Sequence, residues 1–338
     1  MRAPVGVCGF RTVVVTVTSR GDCKYTDRYG SLGCMTRLAP LALVILWSSG
    51  FVGATLAARS APAETTLLWR YVVVVGPLCA WALWTRRRYD AGFLVREGVI
   101  GILAHGGYLL AVYRAADLGV LPGTSALVAS LQPPLVAALL WIASSGSTDR
   151  RQALGLLTGL VGVLLVVGSG LSGAGGSVGL AVVGLGTLSL TAATLVAGRW
   201  PQPERHGVLD SLTVQAVVAL GFFAALALAT GRAAPPPDAD FWLAVAWLVV
   251  LAFVGGYGTY FYVLRVSGPV VVSAWLYLTP ATAAVWAWLM FGEPLTVRSA
   301  VGFLVAAAGV AAVVRPQRAV SPDLRVATPA RACTSAVE

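Results

Sequence analysis

Residues 267–316 read SGPVVVSAWLYLTPATAAVWAWLMFGEPLTVRSAVGFLVAAAGVAAVVRP. Two apolar runs, Val270–Phe291 and Ala300–Val314, flank the polar break Gly292–Arg298. A helix needs about 20 apolar residues to cross a bilayer. The first run meets that length, and the second meets it when the shoulder Arg298–Ser299 is counted. Lipid offers no water to satisfy non-helical backbone, so two such runs joined by a short break predict a helical hairpin.

The rest of the chain follows the same rule. Of 338 residues 57% are hydrophobic and 11% are charged, with a mean hydropathy of +0.80. Soluble domains carry about 25% charged residues, so the composition predicts a polytopic membrane protein. Ten apolar runs are expected to span: 39–58, 67–85, 93–113, 120–142, 153–169, 178–198, 208–229, 241–264, 269–291 and 299–314. The predicted fold is an all-α integral membrane protein of ten transmembrane helices.

The net charge of +10 is no nucleic-acid signature. The basic residues stand singly or in small groups between apolar runs, and no compact basic patch forms. With the N-terminus placed inside, the inner segments hold 19 Lys and Arg and the outer loops four: Arg59, Arg114, Arg232 and Arg298. That asymmetry predicts both termini in the cytoplasm and residence in the cell membrane. Five scattered cysteines and two histidines offer no disulfide framework and no zinc site, and no cofactor is expected.

Residues 1–37 are polar and lack a signal-peptide core. Met35 stands just before the first apolar run, which raises the expectation that it initiates the chain and that 1–34 is an extension. Residues 317–338 read as a disordered tail. Gly168–Gly173 matches GxGxxG, but in a loop between two spans it is a flexible connector.

The hairpin recurs. Shifted by 147 positions, Pro269, Leu278, Pro280 and Trp288 fall on Pro122, Leu131, Pro133 and Trp141. Arg298, Gly302 and Gly309 fall on Arg151, Gly155 and Gly162. The unit is five helices, giving repeats at 38–169 and 178–316. An odd number of spans inverts the second copy, an architecture of secondary transporters with the substrate site between the halves.

Several motifs carry a family resemblance over 36–316. They are Trp47-Ser48-Ser49-Gly50-Phe51, Arg70 early in the second span, Pro133 and Pro280 in the fourth and ninth, Gly292-Glu293-Pro294, and the Gly-x6-Gly spacings. The chain resembles the drug/metabolite transporter superfamily, EamA type. The resemblance implies alternating-access transport, export above all, of metabolites, amino-acid-like solutes or drugs. One departure is Ser144-Ser145-Gly146-Ser147, where the family would carry Gly-Glu.

Site expectations follow from polar groups inside apolar runs. Arg70 is a candidate substrate or gate charge, because an intramembrane ionisable group is costly; its alternative is an ion pair with Glu64. His105 titrates where proton coupling needs it; its alternative is a neutral histidine satisfied across helices. Tyr108, Tyr257, Tyr260, Trp275 and Tyr277 are candidates for an aromatic cavity wall, against interfacial belts. Gln132 and Thr279 adjoin Pro133 and Pro280, which are site-lining kinks or hinges. Glu293 is either a gate or a cap for the last helix, and Asp117 a solvated partner of Arg114. The expected partners are a small organic solute, the lipid bilayer and a second copy in a homodimer, with nucleic acid excluded. A membrane scaffold or an intramembrane enzyme are the rival classes; the chain has no HExxH, no GxSxG and no paired intramembrane carboxylates.

Overall fold

The computed structural model describes residues 35–143, 176–200, 205–267, 275–293 and 295–314, the strands Val14–Val17 and Cys23–Thr26, and single positions at 154–165 and Val272. It is helical apart from those two strands, which pair antiparallel with Val14 opposite Thr26. That hairpin lies in the polar N-terminal segment, ahead of the first apolar run.

The helices are α1 (Met35–Ala58), α2 (Ala63–Trp84), α3 (Ala91–Asp117), α4 (Pro122–Ala129), α5 (Gln132–Ala143), α6 (Gly176–Arg199), α7 (Val208–Ala229), α8 (Ala239–Ser267), α9 (Thr279–Phe291) and α10 (Val297–Val314). Six of these, α1, α2, α3, α6, α7 and α8, are long and apolar enough to cross a membrane. The expected fourth span is instead two helices, broken at Ser130-Leu131 before Pro133-Pro134. A proline within a helix removes a hydrogen bond and clashes with the preceding turn, so the first helix stops there. In the ninth, the turn Tyr277-Leu278 precedes α9 and Pro280. The two breaks are 147 residues apart, as the sequence repeat requires. Most of the expected fifth span and the loop 168–175 lie outside the described residues.

The repeat extends to a rarer feature. α3 is π-helical over Ile102–Leu109 and α8 over Leu248–Tyr257. Shifted by 147, the first falls inside the second. A π segment widens the helix by an extra residue per turn and concentrates at functional sites.

The repeats interlock rather than stand apart. α2 packs on α7, α1 on the π segment of α8, α6 on the π segment of α3, and α4 on α9. Exchanging the repeats turns α1–α8 into α6–α3 and leaves α2–α7 and α4–α9 unchanged. A pseudo-two-fold axis imposes that pattern. The largest core cluster joins both repeats through Phe51, Leu67, Tyr71, Phe223, Leu248 and Ala283.

Helix ends use local polar groups. Asp90 accepts the Phe93 N–H at the start of α3, and Asp210 accepts Gly207 N–H before α7. Gly292 ends α9 at φ +69°, a left-handed conformation that glycine adopts without strain. Leu83, Trp84, Leu185, Leu228, Val254 and Leu304 face outward. A shell of exposed apolar side chains is what a lipid-facing surface needs.

Candidate functional site

Five side chains on α2, α3 and α7 form one hydrogen-bonded chain, buried except at the half-buried Gln215. Tyr71 Oη lies 2.7 Å from His105 Nδ1, and His105 Nε2 lies 3.1 Å from Gln215 Oε1. Gln215 Nε2 donates to Glu97 Oε2 at 2.6 Å. Glu97 closes an ion pair with its neighbour Arg96, which also donates to the carbonyls of Ala197 and Trp200.

Donor bookkeeping fixes the directions. An ionised Glu97 only accepts, so Gln215 turns its amide nitrogen toward it and its oxygen toward His105. That oxygen needs a proton on Nε2, leaving Nδ1 to accept from Tyr71. A neutral histidine in one tautomer satisfies every partner. His105 lies inside the π segment of α3 and at the middle of a helix about 40 Å long. The approach of α3 to α7 depends on Gly101, where a Cβ would meet the Gln215 backbone at 3.1 Å.

Arg70 sits one residue from this chain, 4% exposed. Its Nη1 donates to Tyr113 Oη at 2.7 Å, and its guanidinium lies 5.8 Å from the Tyr71 ring and 6.0 Å from the Tyr113 ring. Nε has no partner. The alternative pairing of Arg70 with Glu64 does not occur. Glu64, fully buried, is held by Arg114 and by Arg232 at 3.3 Å. Asp117 does more than face solvent beside Arg114: it also accepts the Ala63 N–H at 3.0 Å and fixes the start of α2.

The aromatic candidates separate. Tyr257 and Tyr260 both contact Trp47, with ring centroids 5.6 and 5.5 Å apart. Phe253 and Phe261 extend that cluster. Tyr108 packs against the main core. Trp275 is half-buried beside the break before α9. The Tyr277 hydroxyl and Thr279 Oγ1 are both buried without a partner among the described residues. Gln132 stands apart from the central chain and donates to Thr194 on α6 at 2.8 Å. Pro133 is half-buried and Pro280 buried, each at its helix break.

Glu293 does not cap α10. That helix starts at Val297, and Thr296 Oγ1 accepts the Ser299 N–H at 3.1 Å. Glu293 instead lines a cavity of about 30 Å³ with Leu121, Gly123, Thr124 and Ala284, room for about one water. Burial raises its carboxyl above the usual range.

At the opposite end, His206 stacks on Phe93 at 3.9 Å and meets Asp90 at 3.1 Å. Arg205 also pairs with Asp90. Those two partners, His206 before Arg205, hold the Asp90 carboxyl down at about 2. A depressed acid stabilises the fold above its unfolded value near 3.9 and loses that contribution as the pH falls through its folded value. The melting temperatures of wild type and Asp90→Asn, which keeps a capping side chain, are therefore expected to differ at neutral pH. They should converge between about pH 4 and pH 2. A gap that stays constant on acid titration would refute the link.

Sequence reasoning missed Glu97 and Gln215 and assigned Arg96 to a cytoplasmic segment. Arg96 is 6% exposed and lies within α3. The available signal was an Arg-Glu pair eight residues before His105, two helical turns away along the same helix.

The comparisons with known proteins agree with this architecture. The model of the EamA-like transporter family matches residues 37–168 and 179–315. A solved crystal structure of a protein, 18% identical, covers 82% of this chain and 97% of its own with a TM-score of 0.57. That likeness concerns the fold. No curated protein matches. With both repeats matched over most of its length, the chain belongs to the EamA-like transporter family, within the drug/metabolite transporter superfamily, and is a multi-pass membrane protein.

Proposed function

We propose that the protein moves small organic solutes, amino-acid-like metabolites or drugs among them, across the cell membrane by alternating access, with export as the working direction. Both termini lie in the cytoplasm in this reading, by the distribution of Lys and Arg. The observation that carries it is the polar interior. Arg70, Tyr71 and His105 are buried, and Gln215 half-buried, at the contact of α2, α3 and α7, where the two repeats meet. Keeping such groups out of water costs free energy, and in a membrane bundle they mark solute paths.

The supports on either side are built to move. Helix breaks at Ser130-Leu131 and Tyr277-Leu278 and π segments in α3 and α8 occur in both repeats. Rocking one repeat against the other about these points would expose the centre alternately to each side. Buried as they are, Arg70 and His105 are closed to both sides in this conformation.

The test is flux. Purified protein in proteoliposomes loaded with a panel of radiolabelled amino acids and aromatic solutes is expected to release at least one faster than empty vesicles. A panel with no protein-dependent release of any solute would return the chain to the scaffold class.

A further inference from the structure

Resting on that transport reading, we infer that Arg70 is the receptor for a single negative charge on the solute, an organic monocarboxylate. Charge is balanced pairwise in the interior except at one side chain among the described residues. Glu97 is matched by Arg96. Glu64 and Asp117 are matched by Arg114 and Arg232. Asp210 has Arg87 at 3.6 Å and accepts from Tyr89. Among the described residues each buried carboxylate therefore has its arginine. Arg70 is, among the described residues, the buried arginine with no carboxylate at ion-pair distance, its polar partner being the neutral Tyr113 hydroxyl.

An arginine stays charged in a protein, and a buried charge without a counter-ion is unfavourable. The geometry shows where the missing charge would bind. Nη1 is occupied by Tyr113 while Nε is buried and unpartnered. That leaves the Nε edge of the fork for an incoming carboxylate, the bidentate arrangement in which arginine binds best. The Tyr71 and Tyr113 rings, 5.8 and 6.0 Å from the guanidinium, would give an aromatic lining to the rest of the solute.

The net charge of the cluster also selects valence. One carboxylate neutralises Arg70, and a phosphate dianion would leave a buried negative charge in its place. A neutral solute would leave the guanidinium as it is. Function explains why an uncompensated charge persists here: the counter-ion is the cargo.

The experiment uses the purified full chain in detergent, with thermal unfolding as readout. The probes are 3-phenylpropionate, its uncharged amide, phenyl phosphate and a series of aliphatic monocarboxylates. At least one monocarboxylate is expected to raise the melting temperature in a saturable manner, while the amide and the phosphate do not. Arg70→Gln should weaken that apparent affinity about 10- to 100-fold, the range of a hydrogen bond to a charged group. Arg70→Lys should retain part of it.

Arg70→Met keeps the volume and removes the charge. Its ligand-free melting temperature is expected to stay close to that of wild type, because removing an uncompensated buried charge offsets the lost hydrogen bond to Tyr113. A sharply lower value would assign Arg70 to the scaffold and overturn the inference. So would equal stabilisation by acid and amide, a shift with phenyl phosphate alone, or no shift with any monocarboxylate. Flux separates the two readings. Transport of neutral solutes that is indifferent to Arg70→Gln refutes the carboxylate site and leaves transport standing, and absence of all flux refutes transport itself.

Discussion

Replacing Glu97 by alanine is expected to destabilise the protein by about 3–5 kcal/mol, the cost of removing one partner from a buried ion pair. Glu97 is fully buried and its partner Arg96 is 6% exposed. The substitution strands the Arg96 charge and leaves the Gln215 amide without its acceptor. It also frees Gln215 to turn over, so the tautomer of His105 loses its determinant. Glu97→Gln should cost less, because the volume and one hydrogen bond survive. The informative variant is the double replacement Arg96→Met, Glu97→Leu, which removes both charges together. Its loss should be well below that of Glu97→Ala, since exchanging a buried pair for apolar groups is often near neutral. Unfolding in detergent followed by circular dichroism measures all three. A double variant as unstable as Glu97→Ala would show that the residues act separately.

The second large effect is expected at Glu64. Glu64→Gln removes the charge that holds Arg114 from the first repeat and Arg232 from the second. The two guanidiniums then share a site whose remaining acid is Asp117. A hydrogen bond to a charged group contributes about 1.5–3 kcal/mol, and we expect a loss of about 2–3 kcal/mol. It stays below the Glu97 effect because the Arg114 and Arg232 side chains are 36% and 45% exposed and keep part of their hydration. Thr65 and Trp69 also tie α2 to the carbonyls of Arg232 and Ala233. The loop after α7 should therefore loosen along with the start of α2. Hydrogen exchange at residues 63–67 and 230–234 is expected to accelerate together in Glu64→Gln. Acceleration confined to one of these segments would count against a shared tie.

These two sites stand at opposite ends of α3. Arg96 and Glu97 lie in its second turn, and Arg114 and Asp117 lie in its last turn. His105 is between them. A single helix thus carries a neutralised charge pair near each end and a neutral, single-tautomer histidine at its midpoint. Arg70 stands across from its second half, bonded to Tyr113. The polarity of α3 explains why it is the least apolar of the six membrane-length helices.

Much of the architecture was legible without coordinates. Apolar runs longer than a bilayer thickness fixed the class, since backbone in lipid has few alternatives to helix. The offset of 147 anticipated the matched breaks before Pro133 and Pro280. Proline acts through the backbone of its own turn, so its effect is local and readable. The π segments at the same offset carried no such signal. Their widening is set by packing: Gly106 and Gly107 face Phe222 and Ser189 on neighbouring helices.

The site was legible only in part. Arg70 and His105 stood out because a polar residue in an apolar run is anomalous wherever its side chain points. Their partners did not. Glu97 reaches Gln215 across 118 positions, and Glu64 reaches Arg232 across 168. No pattern along one helix encodes the rotation of another, and Glu64 could equally have paired with Arg70. The sequence by itself determined a membrane bundle of two similar halves and which polar groups lie within it. The tertiary structure alone decided which of those charges are matched and which one is not. Hydropathy and proline act through neighbouring residues, whereas charge pairing depends on helix separation and rotation, which the packing of the whole bundle sets.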